Sequence, residues 1–243
     1  MPGQLPSFLG LGTQKGGTTT LHQLLTGHPQ VFLPPCKEVH YFDLNAEQPS
    51  SWYAQHFSGA DPDQRCGEIT PFYLFHPKAP QRIKALLPQA RLVVLLRDPV
   101  ERTLSQVFHA RKRGFEPLSP DEALAREEAR LAEGTAFSFQ KHSYLSRSRY
   151  LEQLDRYETL FEPEQLLVLR SESLFENPAP VWQELQRFLR LRQMPLPGRL
   201  PNANRGDQLA ESVDPLLRSR LREALRATAE GVRDRYGFGW DWA

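Results

Sequence analysis

Apolar positions in this chain of 243 residues form short continuous runs, separated by stretches with helical spacing. Phe8–Gly12 (FLGLG) is an apolar run closed by a glycine, which predicts a buried strand. Thr18–Thr26 follows with Leu21, Leu24 and Leu25 on one helical face, and Gly27-His28-Pro29 stops it. Val31–Leu33 and Cys66–Thr70 read as short strands ended by prolines, and Pro77–Leu87 as a helix burying Ile83, Leu86 and Leu87. Arg91–Leu96 (RLVVLL) is the clearest strand, apolar throughout as expected when both faces are covered. A helix is predicted from Pro99 to about Arg113, and another over Ser119–Glu133 with a capping-box start. Tyr144–Phe161 is amphipathic, Gln165–Leu169 reads as a strand, and Pro178–Leu191 and Asp214–Tyr236 read as helices. A loop rich in Pro, Gly and Asn joins the last two.

Strands alternating with helices predict an α/β fold: one domain over residues 1–243, three layers α/β/α around a central, mostly parallel sheet. Ligands of such folds sit beyond the carboxyl ends of the strands. Two such ends carry candidate chemistry, Gly12–Thr20 and Arg97–Ser105.

A net charge of +1 gives no bulk electrostatic case for nucleic acid or an anionic membrane, so any anion site is local. Basic residues are mostly arginine, which makes Lys15 inside a Gly/Thr turn conspicuous. Two cysteines, Cys36 and Cys66, are too few for a disulfide framework or a zinc site; free thiols in a reducing compartment and no metal are expected. Met1–Ser7 lacks the pattern of a signal peptide, and no apolar run approaches the roughly 20 residues of a membrane span. A cytoplasmic location is therefore expected.

The turn from strand to helix at Gly12–Thr20 offers backbone N–H groups and the positive end of a helix dipole. Lys15 adds a charge and Thr18, Thr19 and Thr20 add hydroxyls. A nucleoside-triphosphate P-loop, G-x-x-x-x-G-K-[ST], needs lysine where Thr18 stands, and the later strand ends in Arg97-Asp98 rather than an acidic pair for magnesium. A nucleotide kinase is thus the alternative, disfavoured reading. Arg97 at a strand tip and Ser105 two turns into the next helix suit a second anion, while Asp98 reads as a helix cap and Arg102 as part of a solvated basic face. Two grips suggest a nucleotide with two separated phosphates.

These stretches resemble the PAPS-dependent sulfotransferases. TQKGGTTTLHQLLTGHP is similar to their 5′-phosphosulfate loop and VVLLRDPVERTLSQ to their 3′-phosphate motif. KEVHYFD (Lys37–Asp43) resembles the segment that holds the catalytic glutamate in the heparan sulfate sulfotransferase branch and its bacterial relatives, and GEITPFYL and YGFGWDW fit the same branch. The resemblance implies a P-loop-like fold with PAPS as donor and PAP as product. It implies that Lys15, Gly16, Gly17, Thr18 and Thr19 bind the 5′-phosphosulfate, that Arg97 and Ser105 bind the 3′-phosphate, and that Arg205 and Gly206 belong to a late loop over the nucleotide. Glu38 becomes the general base, with His40 and Asp43 beside it. His40 is the rival, because other branches use a histidine.

The heparan branch often has arginine where Thr19 stands and lysine where Ile69 follows Glu68. These departures argue against a glycosaminoglycan enzyme of the secretory pathway and favour a bacterial-type, cytoplasmic enzyme acting on a smaller acceptor. The resemblance as a whole implies transfer to a hydroxyl or an amine of a carbohydrate or small-molecule acceptor. Tyr41, Phe42, Phe72 and Tyr73 suit either an acceptor cleft or the core.

Overall fold

A computed structural model describes residues 4–198 and 213–242. In chain order the elements are β1 Phe8–Gly12, α1 Thr18–Thr26, β2 Val31–Phe32, α2 Ser50–Gln55, β3 Arg65–Ile69, α3 Phe72–Phe75, α4 Ala79–Leu86, β4 Arg91–Leu96, α5 Pro99–Lys112, α6 Pro120–Ala125, α7 Glu127–Ala132, α8 Ala136–Lys141, α9 Tyr150–Glu158, β5 Leu166–Arg170, α10 Ser171–Glu176, α11 Pro178–Phe188 and α12 Pro215–Tyr236. The described chain divides into two compact units. The first runs to Leu96 and resumes at Gln153; the second comprises Arg97–Glu152 and the described residues from 213.

The first unit holds all five strands, in the order β2-β3-β1-β4-β5, every pair parallel. β1 lies between β3 and β4, pairing Leu9 with Glu68 and with Leu92. Every residue of β1 is buried, and so is all of β4 after Arg91, as unbroken apolar runs require. Leu21, Leu24 and Leu25 of α1 pack into the same core as Phe8, Val93, Leu95, Leu169 and Trp182. β1, α1 and β4 match their predicted bounds; β2, β3 and β5 shift by one residue, within the fraying of element ends.

The second unit is helical. Val100, Leu104 and Phe108 of α5 share a core with Leu217, Leu221 and Leu225 of α12. The helix expected over Ser119–Glu133 is two helices, α6 and α7, meeting at Arg126, although its capping box between Ser119 and Glu122 is present. The amphipathic stretch from Tyr144 begins as irregular chain and becomes α-helical only at Tyr150. Among the described residues, no helix is long and apolar enough to cross a membrane.

Candidate active site

The turn between β1 and α1 is shaped by three left-handed residues, Gly12, Lys15 (φ 69°) and Gly17 (φ 87°). A Cβ at Gly16 would fall 2.4 Å from Thr13 Oγ1 and 2.9 Å from the Leu95 carbonyl. At Gly17 it would meet the Phe175 ring at 3.2 Å on a backbone that side chains rarely adopt. Both positions need glycine. The turn is tied down by Thr13 N–H donating to Leu95 O (2.8 Å) and by Ser171 Oγ donating to Gly16 O (2.9 Å). Gly17 caps α1 without a side chain, and no acidic residue stands in the helix's first turn. The head of α1 thus presents backbone N–H groups, its dipole and the half-buried Thr19, a cradle that fits a phosphate, while Thr18 and Thr20 are buried.

Lys37–Asp43 lies in the excursion between β2 and β3 and has no regular structure. Its side chains form one polar chain that begins at the phosphate turn. Lys37 Nζ donates to Thr19 Oγ1 at 3.2 Å and pairs with Glu38 Oε1 at 3.2 Å. Glu38 Oε2 is 3.3 Å from His40 Nε2, and His40 Nδ1 is 2.9 Å from Asp43 Oδ2. The Asp43 side chain is fully buried and accepts the Leu44 N–H, whereas Glu38 reaches solvent. His40 has a left-handed backbone (φ 56°), and the turn closes through Asn45 N–H to His40 O (2.9 Å) and Asn45 Nδ2 to Val39 O (3.0 Å). From α4, Arg82 donates to the carbonyls of Phe42 and Asp43.

Burial alone would depress the His40 pKa. Hydrogen bonds to Asp43 and Glu38 and their charges overturn that and raise it to about 9. His40 is therefore an imidazolium at neutral pH. Burial disfavours the Glu38 carboxylate, but the His40 hydrogen bond and the Lys37 charge outweigh it and lower its pKa. A lowered carboxylate beside a protonated histidine leaves Glu38 as the group with a free lone pair at neutral pH.

Beneath this segment, Glu68 of β3 is completely buried. Desolvation raises its pKa to about 7, against the pull of its hydrogen bonds from Tyr53, Tyr73, Thr70 and Val39. Tyr41, Phe42, Phe72 and Tyr73 are buried too, with Tyr41 stacked on Tyr53 at 4.3 Å, so they belong to the core rather than to a cleft. Glu68 was missed as a site residue. The telling feature is a carboxylate in the buried part of the strand RCGEI, whose other charge, Arg65, stands exposed at its start.

In the second unit, Asp98 caps α5, accepting from the N–H groups of Val100 and Glu101, and it also accepts from Trp242 Nε1 at 2.6 Å. Tyr150 OH donates to the Arg97 carbonyl at 2.8 Å, and Ser105 is buried within α5. Arg102, expected on a solvated face, is instead fully buried. Its guanidinium is taken up by Ser148 Oγ, Gln106 Oε1 and the Tyr144 carbonyl. Burial lowers its pKa to about 10, so it stays charged. Arg205 and Gly206 lie outside the described residues.

The family model for the sulfotransferase domain matches residues 6–196, most of the chain. The chain belongs to the sulfotransferase family. Human heparan sulfate glucosamine 3-O-sulfotransferase 3B1 is 30% identical to this sulfotransferase over 192 residues, covering 79% of this chain and 47% of that protein. A membrane-associated sulfotransferase, kil1, of Dictyostelium discoideum is 43% identical over 105 residues, 42% of this chain and 22% of that one. The chain thus spans about half or less of the length of these curated relatives. A sulfotransferase from Alicyclobacillus acidocaldarius superposes with a TM-score of 0.85 at 26% identity, covering 98% of this chain and 99% of the other. A mouse sulfotransferase solved with PAP has a TM-score of 0.59 at 12% identity, covering 95% of this chain and 87% of the other, and shares the fold. The family match does not favour the kinase reading of the Gly/Thr turn.

Proposed function

We propose that this protein transfers a sulfuryl group from PAPS to a hydroxyl or amine of a carbohydrate or small-molecule acceptor, with Glu38 as general base. The observation that carries this reading is the continuous polar chain from Thr19 of the phosphate turn through Lys37 to Glu38, His40 and Asp43. It joins a cradle suited to a leaving phosphate with a carboxylate suited to an incoming nucleophile. PAPS would supply a sulfuryl group already activated on a phosphate oxygen.

Lys15, Gly16, Gly17, Thr18 and Thr19 would hold the 5′-phosphosulfate, Arg97 and Ser105 the 3′-phosphate, and Arg205 and Gly206 the late loop. The acceptor's proton passes to Glu38 as its oxygen or nitrogen bonds to sulfur, while the sulfur–oxygen bond to the phosphate breaks. Proton removal of this kind typically contributes on the order of 10²–10⁴ in rate. Lys15 and the N–H groups at the head of α1 stabilise the charge that grows on the departing phosphate oxygen. His40, already protonated, cannot take the proton; held by buried Asp43, it orients Glu38. Carbohydrate acceptors are supported by the heparan sulfate relatives, and a bacterial-type kinship by the Alicyclobacillus structure. A cytoplasmic setting is supported by the free thiols of Cys36 and Cys66.

An acceptor screen with labelled PAPS, alongside calorimetry with PAP in EDTA, tests the reading. Metal-free PAP binding and label transfer to an acceptor are expected. Binding of ATP·Mg with no binding of PAP would replace it with a kinase.

A further inference from the structure

Among the buried ionisable groups that the mechanism above leaves unused is the Glu68 carboxylate, which lies directly beneath the Lys37–Asp43 segment. Taking a carboxylate out of water is costly unless its lone pairs are satisfied. Here all of its partners are donors. Tyr53 OH and Tyr73 OH reach Oε1 at 2.7 Å each, and Thr70 Oγ1 and the Val39 N–H reach Oε2 at 3.2 and 3.3 Å. The Tyr73 hydroxyl, having donated to Glu68, accepts the N–H groups of Tyr41 (2.7 Å) and Phe42 (3.3 Å). Three backbone amides, one before His40 and two after it, thus end on Glu68 directly or through one oxygen. They flank the residue whose left-handed backbone aims its ring between Glu38 and Asp43.

We propose that Glu68 is a positioning residue for the reaction: its carboxyl group, acting on Val39 and through Tyr73 on Tyr41 and Phe42, fixes the His40 turn and so the Glu38–His40–Asp43 chain. The role rests on the reading of that chain as the acceptor-activating machinery. Only a carboxylate suits the place. A backbone N–H cannot reverse its direction as a hydroxyl can. A glutamine with its NH₂ on the Oε2 side would confront the Val39 N–H, donor against donor. With the NH₂ on the Oε1 side it would face a Tyr73 hydroxyl whose lone pairs already serve Tyr41 and Phe42. Either orientation releases one anchor of the turn. Tyr53 lacks such a link to the backbone of the segment; its ring, stacked on Tyr41, packs the same cluster.

The test is Glu68→Gln in the full chain, read by NMR titration of His40, assigned with His40→Asn, and by kinetics. Circular dichroism must show a folded protein. The His40 midpoint, near 9 in the parent, is expected to fall by about one unit or more as its two carboxylate partners drift. Turnover should fall by about 10²-fold, the scale of a roughly 1 Å misplacement, with PAP affinity unchanged because the phosphate turn is untouched. A folded variant with the parent's His40 midpoint, whatever its melting temperature, would show that Glu68 serves only the core and overturn the proposal. If Glu68→Gln does not fold, Tyr73→Phe keeps the ring and removes only the link to Tyr41 and Phe42, and its His40 midpoint is read the same way. The titration needs no sulfuryl transfer, so it decides the positioning role even if the proposed activity fails.

Discussion

Lys37 Nζ lies 3.2 Å from Thr19 Oγ1, so a cation of the acceptor segment is docked on the phosphate turn. The same ammonium pairs with Glu38 and lowers its pKa. Lys37→Met should therefore raise the Glu38 pKa and move the acidic limb of the kcat profile to higher pH. An unmoved limb in the variant would separate Lys37 from the base.

Glu38→Gln keeps the shape of the side chain and removes its ability to accept a proton. Turnover is expected to fall by on the order of 10²–10⁴, while calorimetry should find PAP affinity intact. The His40 midpoint should drop below about 9 yet stay above 6.5, because Asp43 still holds the other ring nitrogen. A nearly silent Glu38→Gln beside an inactive His40→Ala would transfer the role of base to His40.

Stability should depend on pH through His40. Its folded pKa of about 9 exceeds the ordinary 6.5, so the folded state binds the proton more tightly. The resulting stabilisation is fully present below pH 6.5 and is lost as pH rises through 9. Glu68 acts with the same sign in an earlier window, between 4.5 and about 7. Melting temperatures recorded across pH 6.5–9 should fall more steeply for the parent than for His40→Asn. Parallel curves would mean that His40 is not held as an imidazolium.

Lys15 and Arg97 should separate chemistry from grip. Lys15→Ala removes a group that faces charge developing in the transition state and should chiefly lower kcat. Arg97→Ala should chiefly weaken PAP binding, because the 3′-phosphate keeps its charge throughout the reaction. Loss of affinity alone in both variants would remove Lys15 from the chemistry.

Strand and helix positions in the first unit were legible because burial imposes a pattern on them. RLVVLL can be read as a doubly covered strand, and Leu21, Leu24 and Leu25 as an inward helix face, with no knowledge of their partners. The phosphate turn was legible for a similar local reason, since its glycines and threonines act through their own backbone. Arg102 was misread because its acceptors, Ser148 and the Tyr144 carbonyl, lie more than 40 positions along the chain, and charge alone suggested solvent. Glu68 escaped because its partners come from three separate stretches, Val39, Tyr53 and Tyr73, which only the folded chain brings to one carboxylate. The short α2, α3, α8 and α10 have four to six residues each, too few for a helical period to show.

β2 contributes only two residues to the sheet, so the excursion it launches has almost no ladder to hang from. What holds Lys37–Asp43 is side chains: Tyr73, Asn45, Arg82 and Glu68. Such a segment opens at a lower free energy than the strands beneath it. Warming should therefore disarm the enzyme before it melts it. Amide exchange at Val39, Tyr41 and Phe42 should become fast while the amides of β1 and β4 are still protected, with the loss of turnover following the former.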